Sequence, residues 1–464
     1  MNFLNSINAI LYYPILIILL IASGLYFTFK TGLIQLSLLK NAFSVITETP
    51  KKGEVSSFQA LMVSTASRVG TGNIVGVSNA ICIGGYGAIF WMWIIAIIGS
   101  SSAFIESTLA QIYKKKGKNG SYGGPSYYIQ NGIGSKTLGL IFAISLILTY
   151  AVGFNMLASF NLQDSFRVYT FYNPKTTPWL IGLFLSIIAG FCILGGGKRI
   201  IKVTSILVPL MGLVFILVSL IIIFKNYTLF PSVMKRIFLD AFNFRAIFGG
   251  ISSSCLVEGI KRGLYSNEAG MGSSPNAAAS SMTTHPVKQG LVQMISVFID
   301  TLVICSATAF ICLSSGIEPQ ANIAGAKYVQ MSLATIFGFY GHIFITFSLA
   351  LFAFTTLLGN LYYVDSCIAY CLKKDPSKNF QIAYRILASI FIFLGCGMKM
   401  DFAWNLSDFL MGIMCLINIP TILYLSNIAF RALDDYKSQL KKGLDPIFIA
   451  KNIGLDDTKL DYWK

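Results

Sequence analysis

The sequence RVGTGNIVG at positions 68–76 decides the fold, because it interrupts an apolar run that extends from residue 58 to residue 82. A run of that length is typical of a membrane-crossing helix, which requires about 20 mostly apolar residues. Arg68 and the glycines Gly70 and Gly72 are not expected in an intact helix that faces lipid, where each unsatisfied polar group costs several kcal/mol. Such an interruption is tolerated where it lines a cavity, and we therefore predict a broken helix.

A second interruption occupies the corresponding place in the other half of the chain. The run 246–271 contains Glu258, Lys261 and Arg262, followed by the sequence SNEAGMG at 266–272. The two interrupted runs lie five apolar runs apart. Because five is odd, the second half crosses the membrane in the opposite sense, which predicts an inverted repeat with a binding site between the breaks.

The number of apolar runs sets the predicted architecture. Eleven runs are long enough to cross a bilayer: 9–29, 58–82, 88–112, 138–160, 179–194, 203–224, 246–271, 291–313, 341–364, 383–398 and 402–428. We predict an all-α membrane protein with 11 transmembrane helices, one extra N-terminal span followed by a five-plus-five inverted repeat with two broken helices. The predicted divisions are the N-terminal span with a cytoplasmic loop (1–57), the first repeat (58–224), the second repeat (246–430) and a cytoplasmic tail (431–464).

The composition agrees with a membrane protein. Hydrophobic residues make up 55% of the chain and charged residues 12%, roughly half the charged share of a soluble domain. The net charge of +16 does not indicate nucleic acid, because the basic residues cluster between apolar runs, as they do from Lys114 to Lys118. Lys and Arg accumulate in cytoplasmic loops. Their distribution predicts a multi-pass protein of the cell (inner) membrane, with its N-terminus outside and its C-terminus cytoplasmic.

The reactive residues do not form an enzyme site. The nine cysteines include no CxxC pair, and most lie inside apolar runs, where cysteine behaves as a small apolar residue. His285 and His342 are isolated, and no Ser–His–Asp set or nucleotide-binding loop is apparent. We therefore predict no metal cluster, no disulfide framework and no enzyme activity.

The glycine-rich sequence around Gly70 allows three interpretations. A dinucleotide-binding loop needs a preceding strand and a βαβ unit, of which the sequence shows no sign. Close packing of helices through small residues explains Gly76. Glycines also let the chain leave helical dihedral angles, which frees carbonyls for a cation and amides for a carboxylate. We favour this ligand site.

Two further sites leave alternatives open. Glu268 can hold a cation, pair with Arg68 or stabilise a helix end. Thr355 and Thr356, midway along the ninth run, can donate to their own helix backbone or offer oxygen atoms to a hard cation.

Three acids within or at the edge of the spans are functional candidates by default. They are Glu106, Asp300 and Asp365. Glu106 and Asp365 lie near cytoplasmic ends, so anchoring at the membrane interface is an equal interpretation for both.

Several long motifs follow one another in order along the chain. They are RVGTGNIVGV (68–77), GGYGAIFWMW (84–93), GGPSYY (123–128), RGLYSNEAGMG (262–272), HP (285–286) and DT (300–301). Together they resemble the alanine or glycine:cation symporter family over nearly the whole chain, and motifs of this length are highly specific. The resemblance implies a leucine-transporter-like fold, sodium coupling and small neutral amino acid substrates.

The resemblance also implies which residues bind. In that family the unwound Gly-Thr-Gly-Asn segment helps to bind the substrate, and here it is Gly70, Thr71, Gly72 and Asn73. The other implied substrate contacts are Gly153, Ala158, Tyr265, Ser266, Thr356 and Asn360. The implied sodium site uses the carbonyls of Ala66 and Val69 with the side chains of Thr355 and Thr356.

Two positions depart from the family pattern. The family usually has Gln where this chain has Ala158, and Trp where it has Asn360. Both changes shrink the side chain, and an unfilled pocket forfeits packing contacts. We therefore expect a neutral amino acid larger than alanine, with an amide or hydroxyl that Asn360 can bond.

These observations predict a secondary active transporter that couples uptake of a small neutral amino acid, of the alanine and glycine class or larger, to sodium. Na⁺ is the co-transported ion, and no organic cofactor is expected. Proton coupling is the alternative, as is a channel or substrate sensor on the same scaffold, although a channel needs rings of ligands along a continuous pore. The expected partners are the amino acid and membrane lipid, with no nucleic acid and no obligatory protein partner.

Overall fold

The computed structural model describes residues 2–48, 54–117, 120–243 and 254–463. Within these ranges the chain is almost entirely helical. The helices that matter for the site are, in chain order, α1 (Phe3–Lys30), α2 (Ser57–Arg68), α3 (Gly72–Gly84), α4 (Gly87–Ile112), α5 (Lys136–Val168), α6 (Thr177–Leu194), α7 (Gly196–Lys225), α8 (Cys255–Asn267), α9 (Pro286–Leu313), α10 (Phe339–Leu372), α11 (Lys378–Gly395) and α12 (Met400–Lys441). Shorter helices cover Ile34–Ser37, Leu39–Ile46, Pro125–Tyr128, Phe230–Ala241, Pro275–Ala278 and Ala326–Phe337.

Eight of the labelled helices are long and apolar enough to cross a membrane, namely all but α2, α3, α8 and α11. Three of these exceptions are the pieces of the two interrupted runs. The fourth, α11, contains the predicted run 383–398 but begins with a polar half that includes Lys378, Gln381 and Arg385. The start of the seventh run, 246–253, lies outside the described residues. The count of 11 spans and the inverted repeat therefore stay predictions.

The first predicted break is present, and local chemistry explains its position. Helix α2 begins with a capping box, in which the Ser56 hydroxyl accepts from the Gln59 N–H and the Gln59 side chain accepts from the Ser56 N–H, both at 3.0 Å. It ends at Arg68, because Val69 leaves the helical region with φ −75° and ψ 84°. The chain becomes helical again at Gly72.

The second predicted break follows α8. Glu268 ends this helix in the left-handed conformation with φ 57°. Gly270 and Gly272 follow with φ of 88° and 80°, values that glycine adopts without steric cost. The sequence EAGMG therefore forms a non-helical segment before the short helix Pro275–Ala278.

Small residues let the central helices approach closely, as is common in membrane helix bundles. A side chain added at Gly259 of α8 would come within 2.5 Å of the Ala88 carbonyl oxygen on α4. One added at Gly359 of α10 would come within 2.7 Å of the Ser67 backbone nitrogen on α2. Both broken helices are thus held against long, intact neighbours.

The end of the chain folds back onto the rest of the protein. Helix α12 continues to Lys441, past the predicted start of the tail at 431, and Ala432, Leu433 and Tyr436 are buried. The tail then reaches a hairpin in which Lys115–Gly117 pairs antiparallel with Gly120–Tyr122. There Lys115 Nζ lies 2.8 Å from Asp461 Oδ1, and Trp463 Nε1 donates to the Gln111 carbonyl at 2.7 Å.

Candidate functional site

The two breaks lie side by side and share one carboxylate. Asn73 Oδ1 accepts from the Gly70 N–H at 2.8 Å, and Asn73 Nδ2 donates to Asp300 Oδ1 at 2.7 Å. Asp300 Oδ2 accepts from the Ser266 hydroxyl at 2.7 Å and from the Thr301 hydroxyl at 2.8 Å. Asp300 on α9 therefore connects the first break to the end of α8.

Glu268 stabilises the helix ends. Its Oε1 accepts from the Ser67 hydroxyl at 2.9 Å, and its Oε2 accepts from the Ser273 hydroxyl at 2.8 Å. The predicted alternative of an ion pair with Arg68 is not found among the described residues. Arg68 instead donates to the Ser274 hydroxyl at 2.7 Å.

The break leaves backbone oxygens at the end of α2, among them those of Ala66 and Val69, without their helical donors. In a continuous helix the Gly70 N–H would bond to the Ala66 carbonyl, and the Asn73 N–H would bond to the Val69 carbonyl. The Gly70 N–H goes instead to Asn73 Oδ1, and the Asn73 N–H donates to the Gly70 carbonyl at 3.2 Å. The carbonyls of Ala66 and Val69, both predicted cation ligands, are therefore available to another partner.

The Thr356 side chain on α10 places a hydroxyl at the first break, beside Gly70. A side chain added at Gly70 would collide with Thr356 Oγ1. This hydroxyl is buried and has no hydrogen-bond partner among the described residues. The neighbouring Thr355 hydroxyl donates to the Leu351 carbonyl at 3.0 Å, so the backbone-bonded alternative describes Thr355 but not Thr356.

Aromatic rings lie against the first break at Gly72. A side chain added at Gly72 would come within 2.7 Å of Tyr265 Cε1, so the ring lies directly against the backbone of the break. The Tyr265 ring centroid lies 4.9 Å from that of Phe154 and 5.1 Å from that of Trp404. These three rings form a wall beside Gly72.

A polar face of α5 also lies beside the first break. Asn155 Oδ1 accepts from Asn360 Nδ2 at 2.9 Å, and Asn161 Nδ2 donates to Thr71 Oγ1 at 3.0 Å. Ala158 is fully buried and lies three residues from each asparagine, on the helix surface between them. Asn155 Nδ2 and Asn161 Oδ1 have no hydrogen-bond partner among the described residues. The sequence predicted neither asparagine, although polar residues near the end of an apolar run are a usable signal.

Two predicted contacts are already engaged with the protein itself. Asn360 Oδ1 lies 2.7 Å from the Ser67 hydroxyl, which shares its one proton between this amide and Glu268 Oε1, so both ends of the amide have protein partners. Gly153 packs against α12, where an added side chain would come within 2.7 Å of Leu410 Cδ1. Asn360 is therefore bonded to Ser67 at the end of α2 and to Asn155 on α5, and Gly153 lies where α5 packs against α12.

A buried group of charges lies beside the aromatic wall, and we name it the ion cluster. Its members are Glu258, Lys261, Arg262 and Asp408. Arg262 Nη2 lies 2.9 Å from Asp408 Oδ2, and its guanidinium carbon lies 4.4 Å from the Trp404 ring centroid. The sequence predicted neither Asp408 nor Trp404, although an acid inside the apolar run 402–428 is a detectable signal. The pairing joins α8 to α12.

The two acids predicted near cytoplasmic ends have different environments. Glu106 is fully buried, and its Oε2 accepts from the Gly272 N–H at 3.1 Å and from Asn418 Nδ2 at 2.8 Å. It therefore contacts the second break, and interfacial anchoring does not describe it. Asp365 pairs with Arg385 at 3.2 Å, which ties α10 to α11.

Long apolar helices that surround two unwound segments with free oxygens and buried carboxylates define a secondary transporter. The chain belongs to the sodium:alanine symporter family, whose model matches residues 1–450. Members of this family are cation-coupled amino acid symporters, and they are transporters rather than enzymes.

Individual relatives agree with this assignment. The chain is 42% identical over 466 residues to the probable sodium/glutamine symporter GlnT of Bacillus subtilis, with 98% of this chain and 96% of the relative covered. It is 39% identical over 483 residues to the putative sodium/proton-dependent alanine carrier YrbD of the same organism, with 100% and 97% covered. It is 34% identical over 440 residues to the sodium/alanine symporter AgcS of Methanococcus maripaludis, with 92% and 95% covered.

A solved structure shares the fold. The transporter MhsT, crystallised with L-phenylalanine, superposes with a TM-score of 0.54 at 14% identity, and the match covers 84% of this chain and 93% of MhsT. This likeness confirms the predicted leucine-transporter-like arrangement at the level of the fold.

Proposed function

We propose that this protein couples the entry of a sodium ion to the uptake of a neutral amino acid that carries a side-chain amide, with glutamine as the preferred substrate. The observation that carries the proposal is the set of oxygens at the first break. The Ala66 and Val69 carbonyls have lost their helical donors, and the unpartnered Thr356 hydroxyl faces Gly70.

These oxygens suit a small hard cation. Such ions prefer carbonyl and hydroxyl oxygens over nitrogen and sulfur. The break brings two carbonyls at the end of α2 opposite a hydroxyl of α10, so a bound ion joins an unwound helix to an intact one. Thr355 contributes to this site only if its hydroxyl leaves the Leu351 carbonyl.

The backbone of the amino acid is assigned to the space between the breaks. The N–H groups of Thr71 and Gly72 suit its carboxylate, while Ser266 and nearby carbonyls suit its ammonium. The Tyr265 ring lies against the backbone of the first break at Gly72. Ordering of the first break by sodium then favours binding of the amino acid, and this coupling must act equally in both directions.

The side chain of the substrate is assigned to the polar face of α5. Among the described residues Asn155 Nδ2 is a free donor and Asn161 Oδ1 is a free acceptor, which matches the acceptor and donor of one carboxamide. The small side chain of Ala158 lies between them. The name of the 42% identical relative GlnT, a probable sodium/glutamine symporter, supports the same substrate.

The architecture follows as part of the proposal. Eleven spans arranged as one extra helix and two inverted repeats (58–224 and 246–430) put the N-terminus outside and the tail in the cytoplasm. Rocking of one group of helices against the rest exposes the site alternately to the two sides. Proton coupling is the alternative to sodium, and it has support in the name of the relative YrbD.

Competition by unlabelled amino acids tests the substrate assignment. Glutamine should compete for uptake better than alanine or glycine in the parent protein. Ala158→Gln places a tethered carboxamide between the two asparagines, and together with Asn360→Trp it should shift preference back toward alanine and glycine. A parent that already prefers alanine or glycine over every larger neutral amino acid rejects the amide pocket.

A further inference from the structure

The core between the breaks contains more negative than positive charge. Three carboxylates, Glu106, Glu268 and Asp300, and one guanidinium, that of Arg68, are all at most 1% exposed. Arg68 forms no ion pair with them among the described residues, and its hydrogen-bond partners there, Ser274 and Gln293, are neutral. If all four groups are ionised, the core carries two uncompensated negative charges.

Other buried acids near the site do not share this imbalance. The ion cluster contains two acids and two bases, and Asp365 pairs with Arg385. Uncompensated charge inside a membrane protein is costly and acquires a cation or a proton. One sodium ion at the first break leaves one negative charge in the core.

The hydrogen bonds single out Glu106 among the three carboxylates. Both oxygens of Asp300 accept hydrogen bonds, and the two oxygens of Glu268 lie 2.9 Å from the Ser67 hydroxyl and 2.8 Å from the Ser273 hydroxyl, which stabilises these groups as anions. Glu106 Oε2 accepts from Gly272 and Asn418, but Glu106 Oε1 has no partner in the part of the chain that the structure describes. This buried oxygen is a site where a proton can be held.

The ionisable groups that face Glu106 come from four elements. They are Arg68 at the end of α2, Tyr128 after the hairpin, Tyr363 on α10 and Cys415 on α12. Tyr128 donates to Asn418 Oδ1, and Asn418 Nδ2 donates both to Glu106 and, at 2.9 Å, to the Gly270 carbonyl. Arg68 is the one cation in this group, and it forms no ion pair with Glu106. We therefore infer that a proton neutralises Glu106.

We propose that Glu106 binds one proton on Oε1 in each transport cycle and that this proton travels with the sodium ion and the amino acid, which rests on the sodium-coupled symport proposed above. The proton comes from hydronium on the side where the site opens, which leaves water and a neutral carboxylic acid. With one sodium ion and one proton bound, the core charge is zero. On the other side the proton returns to water.

The bound proton also acts on the second break. An ionised Glu106 holds the Gly272 N–H and the Asn418 amide by charge-assisted hydrogen bonds, which are roughly twice as strong as neutral ones. A neutral Glu106 holds the same donors more weakly. Loading of the proton therefore loosens the segment at Gly272 and links proton binding to the motion of the break.

The test uses the full-length protein in liposomes with an internal pH-sensitive dye and labelled glutamine. In the parent, glutamine entry driven by sodium should acidify the lumen by about one proton per amino acid, and uptake should change with external pH. Glu106→Gln should lose the acidification and the pH dependence while it retains sodium-dependent exchange of glutamine. Glu318→Gln, the same change at an exposed surface pair, should behave as the parent.

Each result separates the two proposals. Sodium-dependent uptake in the parent with no acidification, or with alkalinisation, overturns the role of Glu106 and leaves sodium symport intact. Acidification that persists in Glu106→Gln also overturns it. If that variant does not fold, the parent measurement still decides, and Glu106→Asp should keep acidification with a shifted pH profile. A parent without any sodium-dependent uptake rejects the underlying symport instead.

Discussion

The Thr356 hydroxyl lies against Gly70, where helix α2 has just ended and the chain has not yet resumed helical structure. No side chain larger than hydrogen fits at Gly70 without a collision with this oxygen. The contact brings an unbroken helix, α10, to the unwound backbone at the point where two carbonyls have lost their donors. It is therefore the contact through which a bound cation can connect the two helices.

Replacement of Thr356 by Val keeps the shape of the side chain and removes that oxygen. We expect the sodium concentration for half-maximal uptake to rise about fivefold, since the loss of one ligand worth about 1 kcal/mol weakens binding by that factor. Sodium titration of uptake gives the measurement. Thr355→Val is the matched comparison and should change the titration less, because its hydroxyl donates to Leu351. Equal effects of the two variants would contradict the orientation of the threonines.

The ion cluster should matter for stability. Asp408→Asn leaves Arg262 buried without its main partner, and removal of one member of a buried pair costs about 3–5 kcal/mol. We expect a clearly lower unfolding temperature for the purified protein, measured by intrinsic fluorescence. Glu318→Gln breaks an exposed pair with Arg236, worth about 0–1 kcal/mol, and serves as the control. A similar unfolding temperature for both variants would show that the buried pair contributes little.

The contact between the tail and Lys114 should depend on pH. Burial lowers the pKa of Lys114 to about 7, and its Nζ lies 4.6 Å from the Tyr462 ring centroid and 5.2 Å from that of Trp463. Release of the tail moves this pKa back toward about 10.4. Between about pH 7 and about pH 10, Lys114 is therefore protonated when the tail is released and neutral when the tail is docked. Docking of the tail weakens as the pH falls from about 10 to about 7, and it is constant below that pH.

A nitroxide attached at position 457 reports this release through its mobility in electron paramagnetic resonance spectra. Mobility should rise as the pH is lowered across that window. Lys114→Met has no titrating amine and should show no such change. A parent with constant mobility from pH 10 to pH 7 would contradict the link between Lys114 and the tail.

Orientation can be tested by cysteine labelling with a membrane-impermeant reagent. Lys175→Cys lies in an exposed segment before α6 and should react only from outside. Lys451→Cys lies in the exposed part of the tail and should react only from the cytoplasm. Reaction of Lys175→Cys from the cytoplasmic side alone would reverse the proposed topology.

Sequence predicted the breaks well and their partners poorly, for a physical reason. Charged residues and glycines within an apolar run violate the requirement for an intact membrane helix, so the ends of α2 and α8 were detectable. The hydrogen bonds of Asn73 to Asp300 and of Asn161 to Thr71 join residues 227 and 90 positions apart, and apolar periodicity carries no information about such pairs. For the same reason the orientations of Thr355, Thr356 and Asn360 required the structure.

Concentrative uptake is the most direct test of sodium-coupled amino acid symport. The purified protein in liposomes should accumulate labelled glutamine above the external concentration when an inward sodium gradient is imposed at equal pH on both sides. Accumulation should collapse when choline replaces sodium or when an ionophore dissipates the gradient. Equilibration without accumulation, or accumulation that persists without sodium, would contradict the account.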